Sequence, residues 1–369
     1  MRWSFVSLLS LLVPLLEASP VGDVQAFAQA SAQASATATA TTGLPRLVVY
    51  FQTTHDQAGN PISMLPLINE KGIALTHLIV CSLHINKDSE VHLNDYPPGD
   101  PHFYTLWNET THMKKAGVKV MGMIGGAAPG SFDSSTLDGD DATFEKYYGQ
   151  VHNVITQFGL EGMDLDVEQP MSQSGISRLI TRLRNDFGSG FIITLAPVAS
   201  ALENGGNLSG FDYKSLESSN GGDIDFYNGQ FYSGFGTMSR TDDYVKIVSN
   251  GFAASKVLAG QLTSPSNGYG YIPYSQLNAT IISLRKKYGQ IGGVMGWEYF
   301  NSQPGGTDEP WKWAQIMTEI LRPNSVGNIA ITIDDADHLT TVYDHTVGDE
   351  SRKARPGSRS IDYYAMVNA

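Results

Sequence analysis

The chain has one cysteine in 369 residues, Cys81, so no disulfide forms within the molecule and the fold must be held by its core. Cys81 sits in the apolar stretch from Leu78 to Leu83, where a buried structural thiol is expected. Basic residues are scarce too: 24 Lys and Arg against 37 Asp and Glu give a formal net charge of −13. So acidic a protein gains nothing from counterion release, which argues against nucleic acid and anionic membranes as partners and for a neutral substrate. No long apolar run continues beyond residue 20. Before it, Arg2, an apolar core from Phe5 to Leu16 and the small residues Ala18 and Ser19 read as a signal peptide over residues 1–18, too short to span a bilayer. The expectation is a secreted, extracellular protein. Acceptor sequons at Asn108, Asn207 and Asn278 agree with that route.

Residues 19–43 are dominated by Ala, Ser, Thr and Gln without apolar periodicity, and read as a flexible leader open to O-glycosylation rather than a domain. From Leu44 onward, β-rich runs begin near Arg46, Thr76, Val118, Glu161, Phe191, Ile224, Lys256 and Gly292, spaced 30 to 43 residues apart. The gaps leave room for helices, for instance at Thr143–Phe158, Gly175–Asp186 and Tyr274–Tyr288. Eight strands alternating with helices over roughly 250 residues predict a single (β/α)8 TIM barrel spanning residues 44–323. A doubly wound open sheet is the competitor, but no Gly-x-Gly-x-x-Gly turn follows the first strand. Trp311 to Leu321 reads as the closing helix, and residues 324–369 as a tail outside the barrel, open to trimming.

The stretch from Gly159 to Glu168 carries three acids in strict alternation, Asp164, Asp166 and Glu168, with Met163, Leu165 and Val167 between them. In a strand the acids share one face, their rungs roughly 6.6 Å apart, too close to ionise independently. One of them should hold a proton near neutral pH, which places a general acid beside an anionic stabiliser. The competing readings are a solvated edge strand and a Ca²⁺ loop of the D-x-D-x type; the large apolar residues between the acids disfavour both. Catalytic groups of such barrels lie at the carboxyl ends of strands. Glu168, read as the last residue of its strand, is therefore the expected proton donor. Asp166 is its inner partner, and Asp164 the residue that shifts Asp166.

The run Glu161-Gly-Met-Asp-Leu-Asp-Val-Glu168 resembles the D-G-x-D-x-D-x-E signature of glycoside hydrolase family 18, departing from it at Glu161. A second family element, S-x-G-G, is matched in part by Met123-Ile-Gly125-Gly126, where Met stands in place of Ser. In the sixth strand Asn228, Gln230 and Tyr232 share a face, with Tyr227 on the opposite one, and the segment resembles the family's Q-x-Y element. Trp297, ending the eighth strand, resembles the tryptophan beneath the cleaved sugar. Long stretches such as Val49–Asp56, Gly122–Ser131, Leu160–Ser172 and Gly292–Asn301 are similar to secreted fungal endo-β-N-acetylglucosaminidases of the endo-T type.

The resemblance implies a substrate-assisted retaining mechanism. Glu168 would protonate the glycosidic oxygen while the sugar's acetamido carbonyl attacks the anomeric carbon. Asp166 would orient the acetamido N–H, Tyr232 would hold the carbonyl oxygen, and Asp164 would share a proton with Asp166. Trp297, Gln230, Asn228, Gly125 and Gly126 are the expected substrate contacts. The chemistry calls for no metal or other cofactor. The implied substrate is the chitobiose core of high-mannose N-glycans, acted on by a monomer. Between the seventh and eighth strands, residues 263–291 leave room for a loop and one helix but not for the insertion domain of many chitinases, so an open cleft is expected. A secreted endochitinase acting on chito-oligosaccharides is the main alternative, and a sugar-binding lectin on an inactive barrel the second, disfavoured because Glu168 is present. A metal site at His77, His84 and His92 is disfavoured by spacings that give no shared face.

Overall fold

A computed structural model describes residues 43–85, 90–323 and Asp337. The expected signal peptide, the leader up to residue 42 and, apart from Asp337, the expected tail lie outside the described residues. Every β-rich run of the sequence becomes a strand: β1 (Arg46–Phe51), β2 (His77–His84), β4 (Lys119–Gly126), β5 (Gly162–Val167), β6 (Ile192–Leu195), β7 (Phe226–Gln230), β8 (Val257–Leu262) and β9 (Gly293–Trp297). These pair in parallel in the order β1-β9-β8-β7-β6-β5-β4-β2, and β1 also pairs with β2, which closes the ring. Closure rules out the open sheet, and the fold is a (β/α)8 barrel. No sequence pattern marks β3 (His92–Leu93), a two-residue strand antiparallel to the end of β2 with His84 opposite His92. His77 lies at the other end of β2 from that pair.

The helices are α1 (Pro66–Asn69), α2 (Tyr104–Lys115), α3 (Asp141–Phe158), α4 (Gln173–Phe187), α5 (Ala199–Leu202), α6 (Tyr213–Asn220), α7 (Asp242–Ser249), α8 (Tyr274–Tyr288) and α9 (Lys312–Leu321). Local chemistry sets several of their boundaries. Asp140, Ser172 and Asp212 accept hydrogen bonds from the backbone N–H three residues on, satisfying donors that open α3, α4 and α6. Gly159 ends α3 in the left-handed conformation, with φ of 59°, and turns the chain into the acidic strand. α8 starts at Pro273 without a side-chain cap of its own. There Asp337, from the segment expected to lie apart, accepts hydrogen bonds from the N–H groups of Tyr274 and Ser275. Among the described residues α8 is the only α-helix between β8 and β9, and no extra strand is inserted there.

Strand alternation divides the core in two. Leu47, Val49, Phe51, Leu78, Val80, Met163 and Leu165 face outward to the helices. Val48, Tyr50, Ile79, Cys81, Met121, Met123 and Met295 fill the barrel. The Cys81 thiol is fully buried in that interior, as expected. Asp164 and Asp166 alternate with the outward-facing residues of β5 and so project into the same interior.

Candidate active site

Burying two carboxyl groups in a barrel is costly unless they are hydrogen-bonded or protonated. Asp164, fully buried, takes the first course. Its Oδ2 accepts from the Tyr50 hydroxyl at 2.6 Å, and its Oδ1 accepts from Thr194 Oγ1 at 2.5 Å and from Asn228 Nδ2 at 3.1 Å. Burial raises its pKa above the usual carboxylate value while these three donors oppose the rise. Asp166, 5 % exposed, is pushed toward the second: burial, then the charge of Glu168, then that of Asp164 raise its pKa well above the usual carboxylate value, the direction that favours its protonated form. Asp164 is thus one of the groups that shift Asp166, after burial and Glu168. No hydrogen bond joins Asp164 to Asp166 among the described residues; Asp164 has committed both oxygens elsewhere.

β5 stops at Val167, so Glu168 is the first residue beyond the strand rather than its last. It is partly exposed and therefore able to meet a substrate. The loop carrying it is pinned from both sides. Gln169 Oε1 accepts from the Gly130 N–H at 2.8 Å, Ser209 Oγ donates to the Val167 carbonyl at 2.6 Å, and the Met171 N–H donates to the Ser209 carbonyl at 2.9 Å. Gln230 then ties the two upper acids together: its Nε2 donates to Asp166 Oδ1 at 3.2 Å, to Glu168 Oε1 at 3.1 Å and to the Ala196 carbonyl at 2.9 Å. Gln230 and the fully buried Asn228, both expected among substrate contacts, are thus found holding the acids in place.

Tyr232 packs in the same interior cluster as Tyr50 and Met123, with Trp297 against it at the end of β9. Trp297 meets Tyr50 edge to face with ring centroids 5.6 Å apart. Burial, then the charges of Asp164 and Asp166, hold the Tyr50 hydroxyl protonated far above its ordinary range, so it remains a donor to Asp164. Tyr227 points the other way, as alternation requires, and donates to Glu217 Oε2 at 2.7 Å. Gly125 and Gly126 both have positive φ, 107° and 84°. A side chain on Gly125 would meet the Asp166 carbonyl at 2.2 Å, and one on Gly126 would stand 3.7 Å from Asp166 Oδ2. The glycine pair therefore leaves the space over Asp166 open. Met123, in place of the family's serine, is fully buried beneath it. Glu161 lies at the far end of the ladder, paired with Lys119 at 2.7 Å.

Sequence reasoning missed Tyr50, Thr194 and Glu298. Tyr50 and Thr194 carried a signal, each a polar group at an inward position of an otherwise apolar strand. Glu298 follows Trp297 and is 7 % exposed; its carboxylate accepts from the N–H groups of Gln52 and Thr53, the latter at 2.8 Å, and from Thr53 Oγ1 at 2.9 Å. It ties the segment after β1 to the tryptophan end of β9. Of the sequon residues, Asn108 is exposed on α2, Asn278 is half-buried on α8, and Asn207 donates from its amide to the Phe211 carbonyl at 2.6 Å.

A buried acidic ladder with a partly exposed glutamate at its mouth is the arrangement the family signature implied, and residues 46–265 match the sequence model of glycosyl hydrolases family 18. The chain belongs to family 18. It is a glycoside hydrolase. A solved fungal endo-β-N-acetylglucosaminidase of this family is 72 % identical, with a TM-score of 0.76 over 76 % of this chain and 100 % of the other. The chitinase ChiC from Aspergillus fumigatus is 46 % identical, with a TM-score of 0.68 over 74 % of this chain and 98 % of the other. A curated relative, Chitinase 2 of Rhizopus oligosporus, is 29 % identical over 194 residues, which are 49 % of this chain and 34 % of that protein. The match spans about a third of that relative's length.

Proposed function

We propose that this family 18 enzyme is a secreted, monomeric endo-β-N-acetylglucosaminidase that cleaves the β-1,4 bond within the chitobiose core of N-glycans, with retention of configuration. The observation that carries the reading is the 72 % identity with a fungal enzyme of that activity, against 46 % with the chitinase. The single-helix connection between β8 and β9 supports it, because a branched glycan needs an open approach.

Glu168, beyond the strand end and reachable from solvent, donates its proton to the glycosidic oxygen. The acetamido carbonyl of the sugar closes on the anomeric carbon to give an oxazolinium ion, so no protein nucleophile is required. Asp166, one rung below, accepts from the acetamido N–H through a carboxyl oxygen and so orients the carbonyl for attack. Tyr232 holds the carbonyl oxygen, and Trp297 forms the floor under the ring. Asp164, held in place by its three donors, fixes the base of the ladder beneath Asp166, and Gln230 keeps Asp166 and Glu168 in register. After the leaving group departs, Glu168 takes a proton from the incoming water.

Digestion of a ribonuclease-type glycoprotein bearing high-mannose chains, run beside colloidal chitin, tests the reading. Release of an oligosaccharide that leaves one N-acetylglucosamine on the protein is expected. Soluble chitobiose from chitin with the glycoprotein untouched would instead establish the endochitinase reading, which the similarity to ChiC supports.

A further inference from the structure

The loop carrying Glu168 leaves the barrel where the strand ladder runs out of partners. β5 pairs with β6 in parallel as far as Leu165 opposite Leu195, and the Ala196 N–H donates to the Leu165 carbonyl at 3.2 Å. The next carbonyl on that edge of β5 is two residues on, at Val167. Its partner in register would be the N–H of Val198, but β6 ends at Leu195 and Val198 bridges to Gln230 instead. Val167 is 2 % exposed, so its carbonyl needs a donor from within the protein.

Ser209, in the loop between α5 and α6, supplies one. Its hydroxyl has a single proton and a carbonyl can only accept, so the 2.6 Å contact to Val167 uses that proton. The Tyr213 hydroxyl, 2.8 Å from Ser209 Oγ, must then donate to it. Tyr213 is 1 % exposed, and burial raises its pKa above the ordinary value, so it keeps the proton to give. Two hydroxyls therefore stand in series behind one peptide bond, each polarising the next.

The segment that carries Ser209 is shaped for close approach. Asn207 Oδ1 accepts from the Ser209 N–H at 2.7 Å, and the Asp212 N–H donates to Gln173 Oε1 at 2.9 Å. Gly210 has φ of 78°, and a side chain there would meet the Pro170 Cα at 2.9 Å. Only glycine lets this backbone lie against the turn that follows Glu168.

We propose that Ser209, backed by Tyr213, is a positioning residue for the reaction: it replaces the strand partner that Val167 lacks and so fixes the peptide from which the Glu168 side chain projects. The inference rests on Glu168 as the proton donor, and Glu168→Gln is measured beside the other variants to keep the two apart. All are made in a bacterial host without N-glycosylation, because Ser209 completes the sequon at Asn207. Each full chain is assayed on whichever of a high-mannose glycopeptide and a chito-oligosaccharide the parent cleaves, so the choice of substrate does not enter.

Ser209→Ala is expected to lower kcat about tenfold with little change in KM, and Ser209→Thr to restore most of the loss. Tyr213→Phe keeps its ring in the core and is expected to lower kcat about threefold. The Ser209→Ala/Tyr213→Phe pair should lose no more than Ser209→Ala alone, since both hydroxyls act on one carbonyl. A parental kcat in folded Ser209→Ala, a change in KM alone, or losses that multiply in the pair overturns the proposal. Should Ser209→Ala fail to fold, Tyr213→Phe decides, and a parental kcat there has the same consequence. Activity retained by Glu168→Gln would overturn the proton-donor assignment, and this inference with it.

Discussion

At the scale of single residues, the acids divide one task by environment. Asp166 carries a raised pKa because its surroundings disfavour charge, so it binds a proton more tightly folded than unfolded. Its contribution to stability is complete below the ordinary Asp value and is lost as pH rises through the raised one. Asp166→Asn removes that loss while keeping an oxygen for the Gln230 amide. The variant is expected to melt a few degrees above the parent at neutral pH and level with it in acid, which differential scanning calorimetry across pH would check; a lower midpoint at pH 7 would show that Asp166 is charged and well stabilised. Glu168→Gln is expected to lose about a thousandfold in kcat with an unchanged melting temperature, since Glu168 lies past the strand and fills no core space. The ladder was legible because alternation alone puts three acids on one face. That Asp164 would be bound by Tyr50, Thr194 and Asn228 was not, because these residues come from three other strands, 30 to 114 positions away in sequence.

At the scale of elements, boundaries follow from capping as much as from apolar periodicity. The loop between Glu168 and α4 shows why this matters for activity. Ser172 Oγ accepts from the Gly175 N–H at 3.0 Å and donates to Asp138 Oδ1 at 2.5 Å, while Asp138 Oδ2 accepts from the Ser172 N–H at 2.9 Å. The same serine starts the helix and fastens the loop after β5 to the loop after β4. Ser172→Ala should cost about 1 kcal/mol of stability, read from the denaturant midpoint, and Ser172→Thr should restore most of it. If both variants match the parent, water satisfies the helix start equally well. The helices at Thr143–Phe158 and Tyr274–Tyr288 were legible to within two residues because each has its own amphipathic stripe. The strand β3 was not, because two residues hold no period and pair only where β2 overruns the barrel rim.

At the scale of the whole molecule, with its lone thiol buried, stability rests on the closed ring and the helix layer around it. The ring also buries His77 at the base of β2, where burial, then the positive charges of Arg46 and Lys119, lower its pKa from 6.5 to about 3. A lowered pKa means that the unfolded chain takes up the proton first. The stabilisation from neutral His77 is therefore present above pH 6.5 and erodes as pH falls toward 3, opposite in sign to Asp166. His77→Gln should flatten the acid limb of a stability–pH curve, measured by urea unfolding at stepped pH; an unchanged slope between pH 6 and 4 would place the acid sensitivity elsewhere.

By itself the sequence determined the strand–helix alternation, the shared face of the three acids and the side of β7 that meets them, because each depends on spacing within one segment. Only the tertiary structure decided which acid is pushed furthest toward its protonated form, and that Asn228 and Gln230 serve the acids. Those outcomes depend on burial and on partners brought together by closing the barrel, and no local pattern encodes them.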